Sequence, residues 1–411
     1  MSKFPKKPPI SPISVLAGDP RPAIALVLLV ALVLAIVTQG ASAGPANPGA
    51  ELSRIARLGE SIFKDASLSL SGRVACATCH DPDFGHAEPN DASVPLGGPT
   101  GNQQGFRNSP SLRYLQWNPA FHFDNEGTPT GGFNRDGRAA SLLEQARRPL
   151  LAPHEMANES AADLVARLSR TPYADEFRLV FGADILHRPD DAFDRIVLSL
   201  SQYQKEDPEF HPFDSKFDHF LAGRLSLSDQ ELRGLALFNR SDKGNCAACH
   251  PSTRGAGGSL PLFTDFTYDN LGVPRNYDIA ANADPAYFDL GLCGPDRQDL
   301  ADRNELCGAF KVPTLRNVAK TSAYFHNGKF KRLKDVVAFY VRRDTHPEEW
   351  YPRNADGSVR KFDDLPLEFQ RNVNTTEPPY NRQQGDQPAL NDEEIDDVVA
   401  FLNTLNDGYK P

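Results

Sequence analysis

Two short segments carry residue types and spacings that could do chemistry. The order cysteine, two further residues, cysteine, histidine occurs at residues 76–80 and again at 246–250. It is the attachment pattern of a c-type haem, in which both thiols bind the porphyrin edge and the histidine binds iron. A structural zinc site is the alternative, but it needs further cysteine or histidine ligands. We expect two covalently bound haem c groups, held by Cys76, Cys79, His80, Cys246, Cys249 and His250.

The N-terminus has the pattern of an export signal. Basic residues precede the apolar run 23–37, and Ala41-Ser42-Ala43 offers small residues for cleavage. The apolar run is shorter than the ~20 residues that span a bilayer as a helix. We therefore expect residues 1–43 to be a signal peptide and the mature protein to be periplasmic, with an uncleaved N-terminal membrane anchor as the alternative.

Length and charge restrict the class of protein further. The chain has 411 residues and a formal net charge of −10, without a basic run. An acidic chain repels the phosphate backbone, so we expect no nucleic-acid partner. The ~370 residues after the leader favour two domains, predicted at residues 44–220 and 221–411.

A weak internal repeat precedes the two haem motifs. Gly59 and Phe63 before the first motif have the spacing of Gly234 and Phe238 before the second, and residues 228–231 form a capping-box pattern. The sequence predicts a mainly α fold of two cytochrome c-like domains, each carrying a covalently bound c-type haem, with long ordered loops. Further helices are predicted at residues 142–148, 161–168, 192–204, 333–342 and 392–405.

Cys293 and Cys307 remain after the haem motifs are assigned. Neither is followed by a histidine. In an oxidising compartment we expect a disulfide between them, with two free buried thiols as the alternative.

Methionine is scarce in this chain. The function of a c-type haem depends on the axial position opposite its histidine, which methionine commonly fills in electron-transfer cytochromes. Only Met1 and Met156 are present. At least one haem therefore lacks a methionine ligand.

Six segments of the mature chain follow one another in a characteristic order. They are Phe63-x-Asp65, Arg-Asn-Ser-Pro-Ser-Leu at 107–112, Asp-Gly-Arg-Ala at 136–139, Gln145 with Pro149 and Glu155-Met156, Phe-Lys-Val-Pro-Thr-Leu-Arg-Asn at 310–317 and Tyr-Phe-His-Asn-Gly at 324–328. Together they resemble the bacterial di-haem cytochrome c peroxidases and, more closely, their MauG branch. The resemblance implies an exported oxidoreductase that uses hydrogen peroxide and oxidises a redox protein or a protein side chain through high-valent haem iron.

The same resemblance assigns the peroxide reaction to the first haem. It implies that Glu155 moves the peroxide proton as a general acid–base, that Gln145 orients the bound oxygen or a water, and that Pro149 keeps the site sterically defined. A surface loop carboxylate is the alternative for Glu155. The loop at residues 87–106 has no histidine that could block the haem. We therefore expect a five-coordinate or water-bound first haem that needs no reductive activation.

The second haem is implied to be the electron-transfer centre. The resemblance points to the residue fourteen positions after His326, where the peroxidases have methionine and MauG has tyrosine; here it is Tyr340. An anionic phenolate ligand would favour oxidised iron and a low reduction potential. A core tyrosine is the alternative, since Tyr340 continues an apolar helical stripe.

A calcium ion is implied between the two domains. Its protein ligands would be the side chain of Asn108 and the backbone carbonyl oxygens of Thr321 and Ala323, completed by waters. An ordinary turn residue is the alternative for Asn108.

One residue departs from the family pattern. The family often has tryptophan between the haems, where this chain has Arg135; Phe133 and Tyr114 are candidate aromatic bridges instead.

The resemblance also implies partners. These are hydrogen peroxide, with either a small electron-donor protein (cytochrome or cupredoxin) or a protein substrate, and a homodimer is also possible. The rival function is a non-enzymatic di-haem electron-transfer cytochrome c, which leaves the spacing of Gln145 and Glu155 unexplained.

Overall fold

Helices supply most of the regular structure in the computed structural model, which describes residues 51–411. The predicted signal peptide lies outside the described residues. The helices are α1 (Arg54–Lys64), α2 (Cys76–Cys79), α3 (Leu142–Leu151), α4 (Ala161–Leu168), α5 (Ala174–Phe181), α6 (Pro189–Glu206), α7 (Lys216–Leu221), α8 (Asp229–Asn239), α9 (Leu333–Arg342) and α10 (Asp392–Asn403). Three antiparallel hairpins accompany them: β1 (Leu96–Gly97) with β2 (Gln103–Gln104), β3 (His122–Phe123) with β4 (Pro129–Thr130), and β5 (Tyr268–Asp269) with β6 (Phe310–Lys311). The described chain is mainly helical, as predicted.

The predicted helices correspond to α3, α4, α6, α9 and α10. The bounds of α4 and α9 are those predicted, α3 and α6 are longer, and α10 ends two residues earlier. Besides the single turn α2, the helices α5 and α7 were not predicted. They have 8 and 6 residues, too few to show a repeated apolar face in the sequence. Within residues 51–411 no helix has both the length and the apolar character needed to cross a membrane.

Helices α1 and α6 cross closely in the first half of the described chain (residues 51–220). The Ser53 side chain caps α1 by accepting the Ala56 amide, which satisfies one of the free donors at a helix start. Gly59 lies at the crossing, where an added Cβ would stand 2.0 Å from the carbonyl oxygen of Ser199. Phe63, one turn later, is buried and packs edge-on against Tyr203 of α6.

Helices α8 and α10 form the equivalent crossing in the second half (residues 221–411). The predicted capping box is confirmed: the Ser228 hydroxyl accepts from the Glu231 amide, and the Glu231 carboxylate accepts from the Ser228 amide. An added Cβ at Gly234 would stand 1.9 Å from the carbonyl oxygen of Asp397. Phe238 packs on Phe401 with ring centroids 5.2 Å apart. The internal repeat is thus a helix whose glycine permits a close crossing and whose phenylalanine fills the core beside it.

Two main core clusters follow the same division. One draws its buried residues from positions 58–210, and the other from positions 217–405. Both halves nevertheless belong to a single compact unit that runs to the C-terminus. The predicted domain boundary at residue 220 therefore stays a prediction.

Buried ion pairs join the halves. Arg107 donates to both carboxylate oxygens of Asp289 at 2.6 and 2.7 Å, and Arg113 donates to Asp407 at 3.1 Å. Asp407 also accepts the Tyr114 hydroxyl at 2.7 Å. Removing one member of such a pair leaves a buried charge unpaired, which commonly costs ~3–5 kcal/mol. These contacts fix the two halves against each other.

A disulfide between Cys293 and Cys307 closes a loop of the second half. The buried Arg297 anchors this loop: it donates to the carbonyl oxygen of Asp136 at 2.9 Å, and its guanidinium lies 3.8 Å from the ring centroid of Phe121. Both of these partners belong to the first half. The loop therefore reaches across to the other half and brings Asp296 with it.

Candidate functional site

The first cysteine–histidine motif begins with the single helical turn α2. This turn leads directly to His80, whose amide donates to the carbonyl oxygen of Cys76. The Nδ1 atom of His80 lies 3.2 Å from the carbonyl oxygen of His86. That contact directs Nε2 away from the backbone, and burial lowers the pKa of His80 to about 4, so the imidazole is neutral near pH 7. A neutral, oriented imidazole is the form that binds iron.

A cavity beside this motif collects the predicted peroxide-reacting side chains. Its walls include Cys76, Cys79, His80, Gln145, Pro149 and Glu155. These residues come from α2, from α3 and from the turn after α3. The structure thus brings together the first haem motif and all three predicted catalytic residues.

Helix α3 positions Gln145 and Pro149. The Ser141 side chain caps the helix by accepting the Glu144 amide. Pro149 lies four residues after Gln145 and has no backbone N–H, so the Gln145 carbonyl lacks its usual helical donor. The spacing therefore frees the main-chain oxygen of Gln145 from its helical hydrogen bond, in a residue that lines the cavity.

Glu155 is fixed by its backbone. Its amide donates to the Ala152 carbonyl at 3.0 Å, and its carbonyl accepts the Gly98 amide at 2.8 Å. Gly97 of β1 packs so closely that an added Cβ would stand 2.7 Å from the Glu155 carbonyl oxygen. Hairpin β1–β2 thus holds the turn that points Glu155 into the cavity wall.

The environment of Glu155 changes its acidity. Burial raises the pKa of this carboxyl to about 7, against the opposing charges of Arg138 and Arg148, while Asp296 raises it further. The side chain keeps 35% exposure and lines the cavity. A carboxyl with a pKa near 7 can both take and return a proton at neutral pH.

His154 also lines this cavity and was not predicted. Its Nε2 lies 3.7 Å from the Glu155 carboxylate, and its ring packs against Phe106 with centroids 4.8 Å apart. Its position next to Glu155 in the sequence was the available signal. His86 is fully buried, and its ring packs at a tilt against that of Phe210, with centroids 4.1 Å apart.

The second motif lies in an equivalent cavity. His250 is buried, its Nδ1 lies 2.8 Å from the Phe263 carbonyl oxygen, and burial lowers its pKa. The cavity also contains Cys246, Cys249 and Tyr340. As in the first cavity, the backbone contact leaves the other ring nitrogen for a ligand.

Tyr340 enters the second cavity from α9. Its ring centroid lies 5.8 Å from that of Phe325 and 6.2 Å from that of Tyr380. Burial raises its pKa, so its hydroxyl holds its proton without a bound cation. Tyr380 lines the same cavity and had no signal in the sequence beyond its aromatic type. Met156 lines the first cavity, so in the described part of the chain no methionine lines the second.

Two haem c groups fit these residues. The four motif cysteines are free and half-buried at the cavities. Two buried donors that line cavity walls, Nδ2 of Asn108 and Nε2 of His326, have no hydrogen-bond partner, and haem propionates are acceptors of the required kind. Among residues 51–411 no three His, Cys, Asp or Glu side chains converge on a metal position, so the zinc alternative lacks its further ligands.

The three predicted calcium ligands, Asn108, Thr321 and Ala323, line one further cavity together with Arg135. Arg135 donates from Nη2 to the Asn108 side-chain oxygen at 2.8 Å and from Nε to the Asn108 carbonyl oxygen at 2.9 Å. The predicted cation ligand is therefore already bonded to a cationic side chain.

Arg135 lies where the two motif cavities approach each other, since it lines both. Phe133 and Tyr114, the predicted aromatic bridges, line neither of these two cavities. Phe133 packs with Ala139 and Leu142. The residue between the cavities is thus a guanidinium and not an aromatic ring.

Known proteins share this arrangement. The family model described as "Di-haem cytochrome c peroxidase" matches residues 53–226. The methylamine utilization protein MauG of Paracoccus denitrificans is 36% identical, over 89% of this chain and 94% of its own. The cytochrome c551 peroxidase of Nitrosomonas europaea is 33% identical, over 70% of this chain and 72% of its own.

A solved structure agrees over nearly the whole described chain. The diheme peroxidase BthA from Burkholderia thailandensis E264 superposes with a TM-score of 0.79 at 38% identity, covering 89% of this chain and 90% of that one. The two cysteine–histidine motifs fit the two haem c groups of this family. The chain therefore belongs to the di-haem cytochrome c peroxidase and MauG family and is an enzyme that acts on peroxide.

Proposed function

We propose that peroxide reacts in the first cavity and that the second cavity stores or passes the resulting oxidising equivalents. The observation that carries this proposal is the asymmetry of the two sites. Glu155, Gln145 and Pro149 share the first cavity with Cys76 and His80, whereas Tyr340 shares the second with Cys246 and His250. A haem bound at each motif supplies the iron that exchanges electrons with peroxide.

In this proposal the proton movements belong to Glu155. Its carboxylate takes the proton from one peroxide oxygen and returns it to the leaving oxygen, which departs as water. Gln145 accepts and donates hydrogen bonds that orient the peroxide, and Pro149 holds the wall beside it. His154, whose Nε2 lies 3.7 Å from the carboxylate, adds a second polar group to the wall.

Tyr340 is proposed as a residue that would hold the iron of a second haem, together with His250. Support comes from its place in the cavity and from the lack of a methionine lining that cavity in the described residues. Its raised pKa without iron means that ligation must displace the hydroxyl proton, which a bound metal cation favours. A phenolate stabilises oxidised iron, which suits storage of oxidising equivalents.

The electrons are proposed to come from a side chain of a partner protein or from a small redox protein, either a cytochrome or a cupredoxin. The tyrosine in place of methionine favours the first source, as in the MauG branch. The expected location is the periplasm, with residues 1–43 as the export signal and the two predicted domains each holding one haem.

The ferric spectrum of the holoprotein tests the asymmetry. We expect one high-spin and one low-spin haem in the resting enzyme, followed by a slowly decaying spectral change after one equivalent of peroxide. Two low-spin haems and no reaction with peroxide would overturn the proposal and support the rival electron-transfer cytochrome.

A further inference from the structure

The guanidinium of Arg135 forms no ion pair with a carboxylate among the described residues. Asp289, whose charge acts on Arg135, and Asp136, the next residue in the chain, are both bound by Arg107 at 2.6 Å. Burial and the neighbouring Arg107 lower the pKa of Arg135 to about 10, so the guanidinium stays charged at neutral pH. The charge must therefore be balanced by hydrogen-bond acceptors or by groups that enter the cavities.

Asn108 supplies two of those acceptors in a fixed geometry. Its carbonyl and side-chain oxygens accept from Nε and Nη2 of Arg135. The backbone N–H of Asn108 donates to the carbonyl oxygen of His326 at 2.8 Å. The carbonyl oxygen of Arg135 accepts the backbone N–H of Lys311 at 2.8 Å. Arg135 and Asn108 thus tie the first half to two segments of the second half.

The oxygens expected to bind calcium all have protein donors. Besides the Asn108 contact, the Thr321 carbonyl accepts the Tyr324 hydroxyl at 3.0 Å, and the Ala323 carbonyl accepts the Thr321 hydroxyl at 3.2 Å. A divalent cation would have to displace these donors or share each oxygen with them.

The charged side chains around the cavity that Asn108, Thr321 and Ala323 line also disfavour binding of a cation. Four cationic side chains line it in the described part of the chain, and no carboxylate does; the four are Arg113, Arg135, Lys311 and Arg316. Calcium sites use hard oxygen ligands, usually with carboxylates to balance the charge. Carboxylates outside the cavity pair with two of these side chains, Arg113 with Asp407 and Arg316 with Asp218, and burial lowers the pKa of Lys311 to about 7. Arg135 is therefore the unpaired charge that a dication would meet here, in a medium of low dielectric.

We propose that the guanidinium of Arg135 takes the place of the calcium ion, so that this chain is held together between its haem cavities by its own side chain and binds no calcium there. Two directed hydrogen bonds to Asn108 replace metal–oxygen bonds. The positive charge of this position is thus covalently part of the chain and cannot be removed by a chelator.

Metal analysis of the purified holoprotein tests this inference without reference to peroxide. After gel filtration in calcium-free buffer, we expect far less than one calcium per chain. We also expect that EGTA leaves the ferric spectra of both haems and the melting temperature unchanged. One retained calcium per chain, or a spectral change on chelation, would overturn the inference while leaving the proposed peroxide chemistry intact.

Removing the guanidinium tests the replacement itself. Arg135→Gln frees the Asn108 side-chain oxygen and removes one positive charge, so we expect a lower melting temperature that millimolar calcium raises in the variant but not in the wild type. Arg147→Gln is the matched control, because Arg147 lies on the surface of α3, where it pairs with the exposed Asp194 and covers the ring of Phe193. A variant with unchanged stability and no calcium uptake would contradict the replacement.

Discussion

The two cavities differ in the side chains that accompany their histidines. In the first, Glu155 and His154 provide titratable groups beside the amide of Gln145. In the second, the hydroxyl of Tyr340 lies among aromatic neighbours, with Phe325 and Tyr380 within about 6 Å of its ring. The attachment motifs themselves are alike. The difference shows that residues outside the repeated helix-and-motif unit distinguish the two cavities.

Replacing the carboxyl of the first cavity gives the largest expected effect. Glu155→Gln keeps the shape of the side chain but cannot take up a proton, so the rate of reaction with peroxide should fall ~10²–10⁴-fold, the usual contribution of general acid–base catalysis. Stopped-flow absorbance measures the rate.

The matched control for this change is Glu159→Gln, on the exposed surface after the same turn. It should leave the rate unchanged. An equal loss in both variants, or a changed spectrum of the second haem in Glu155→Gln, would show that the first cavity does not act independently.

The same carboxyl predicts a pH dependence. Because burial raises the pKa of Glu155 to about 7, the proton-accepting carboxylate forms only as the pH rises through that value. The rate with peroxide should therefore rise ~10-fold per pH unit below pH 7 and level off above it. Glu155→Gln should lose this step, and a wild-type profile that falls with rising pH would contradict the assigned role.

The second cavity is tested by its reduction potential. Tyr340→Met replaces an anionic oxygen by a neutral sulfur, which stabilises reduced iron, so the potential of the second haem should rise by ~0.1–0.3 V, within the ~0.8 V range set by axial ligands. Spectroelectrochemistry resolves the two haems. Tyr380→Phe is the control and should leave this potential unchanged. A shift of the potential in Tyr380→Phe, with none in Tyr340→Met, would mean that Tyr380 and not Tyr340 binds the iron.

The shared helix crossings should respond alike in the two halves. Gly59→Ala and Gly234→Ala each force a methyl group against a main-chain carbonyl, so each should lower the free energy of unfolding by ~1–3 kcal/mol. Chemical denaturation followed by circular dichroism measures the loss. Leu232→Ala, exposed on the same helix as Gly234, should change stability little. A large loss in one half alone would argue against equivalent crossings.

The sequence was most informative where chemistry requires contiguous residues. The haem motifs, the capping box at Ser228 and the long amphipathic helices α6 and α10 each depend on local spacing, and each could be predicted. The family resemblance then identified Gln145 and Glu155, which the structure brings into one cavity with His80.

Residues that act through distant contacts could not be predicted in this way. Tyr380 reaches the second cavity from a proline-rich loop, and Arg135 binds Asn108 across 27 positions of the chain. Short helices such as α5 carry too little periodicity to be recognised. In each case the information lies in tertiary packing, which a single sequence does not display.

The disulfide-closed loop has a consequence for how such a gene can change. It carries Asp296 from the second half into the wall of the first cavity, and Arg135 extends from the first half into the wall of the second. Each half therefore contributes a residue to the cavity of the other half. Recombination that joins the first half of one family member to the second half of another must match both residues, so the two halves should be inherited as one unit.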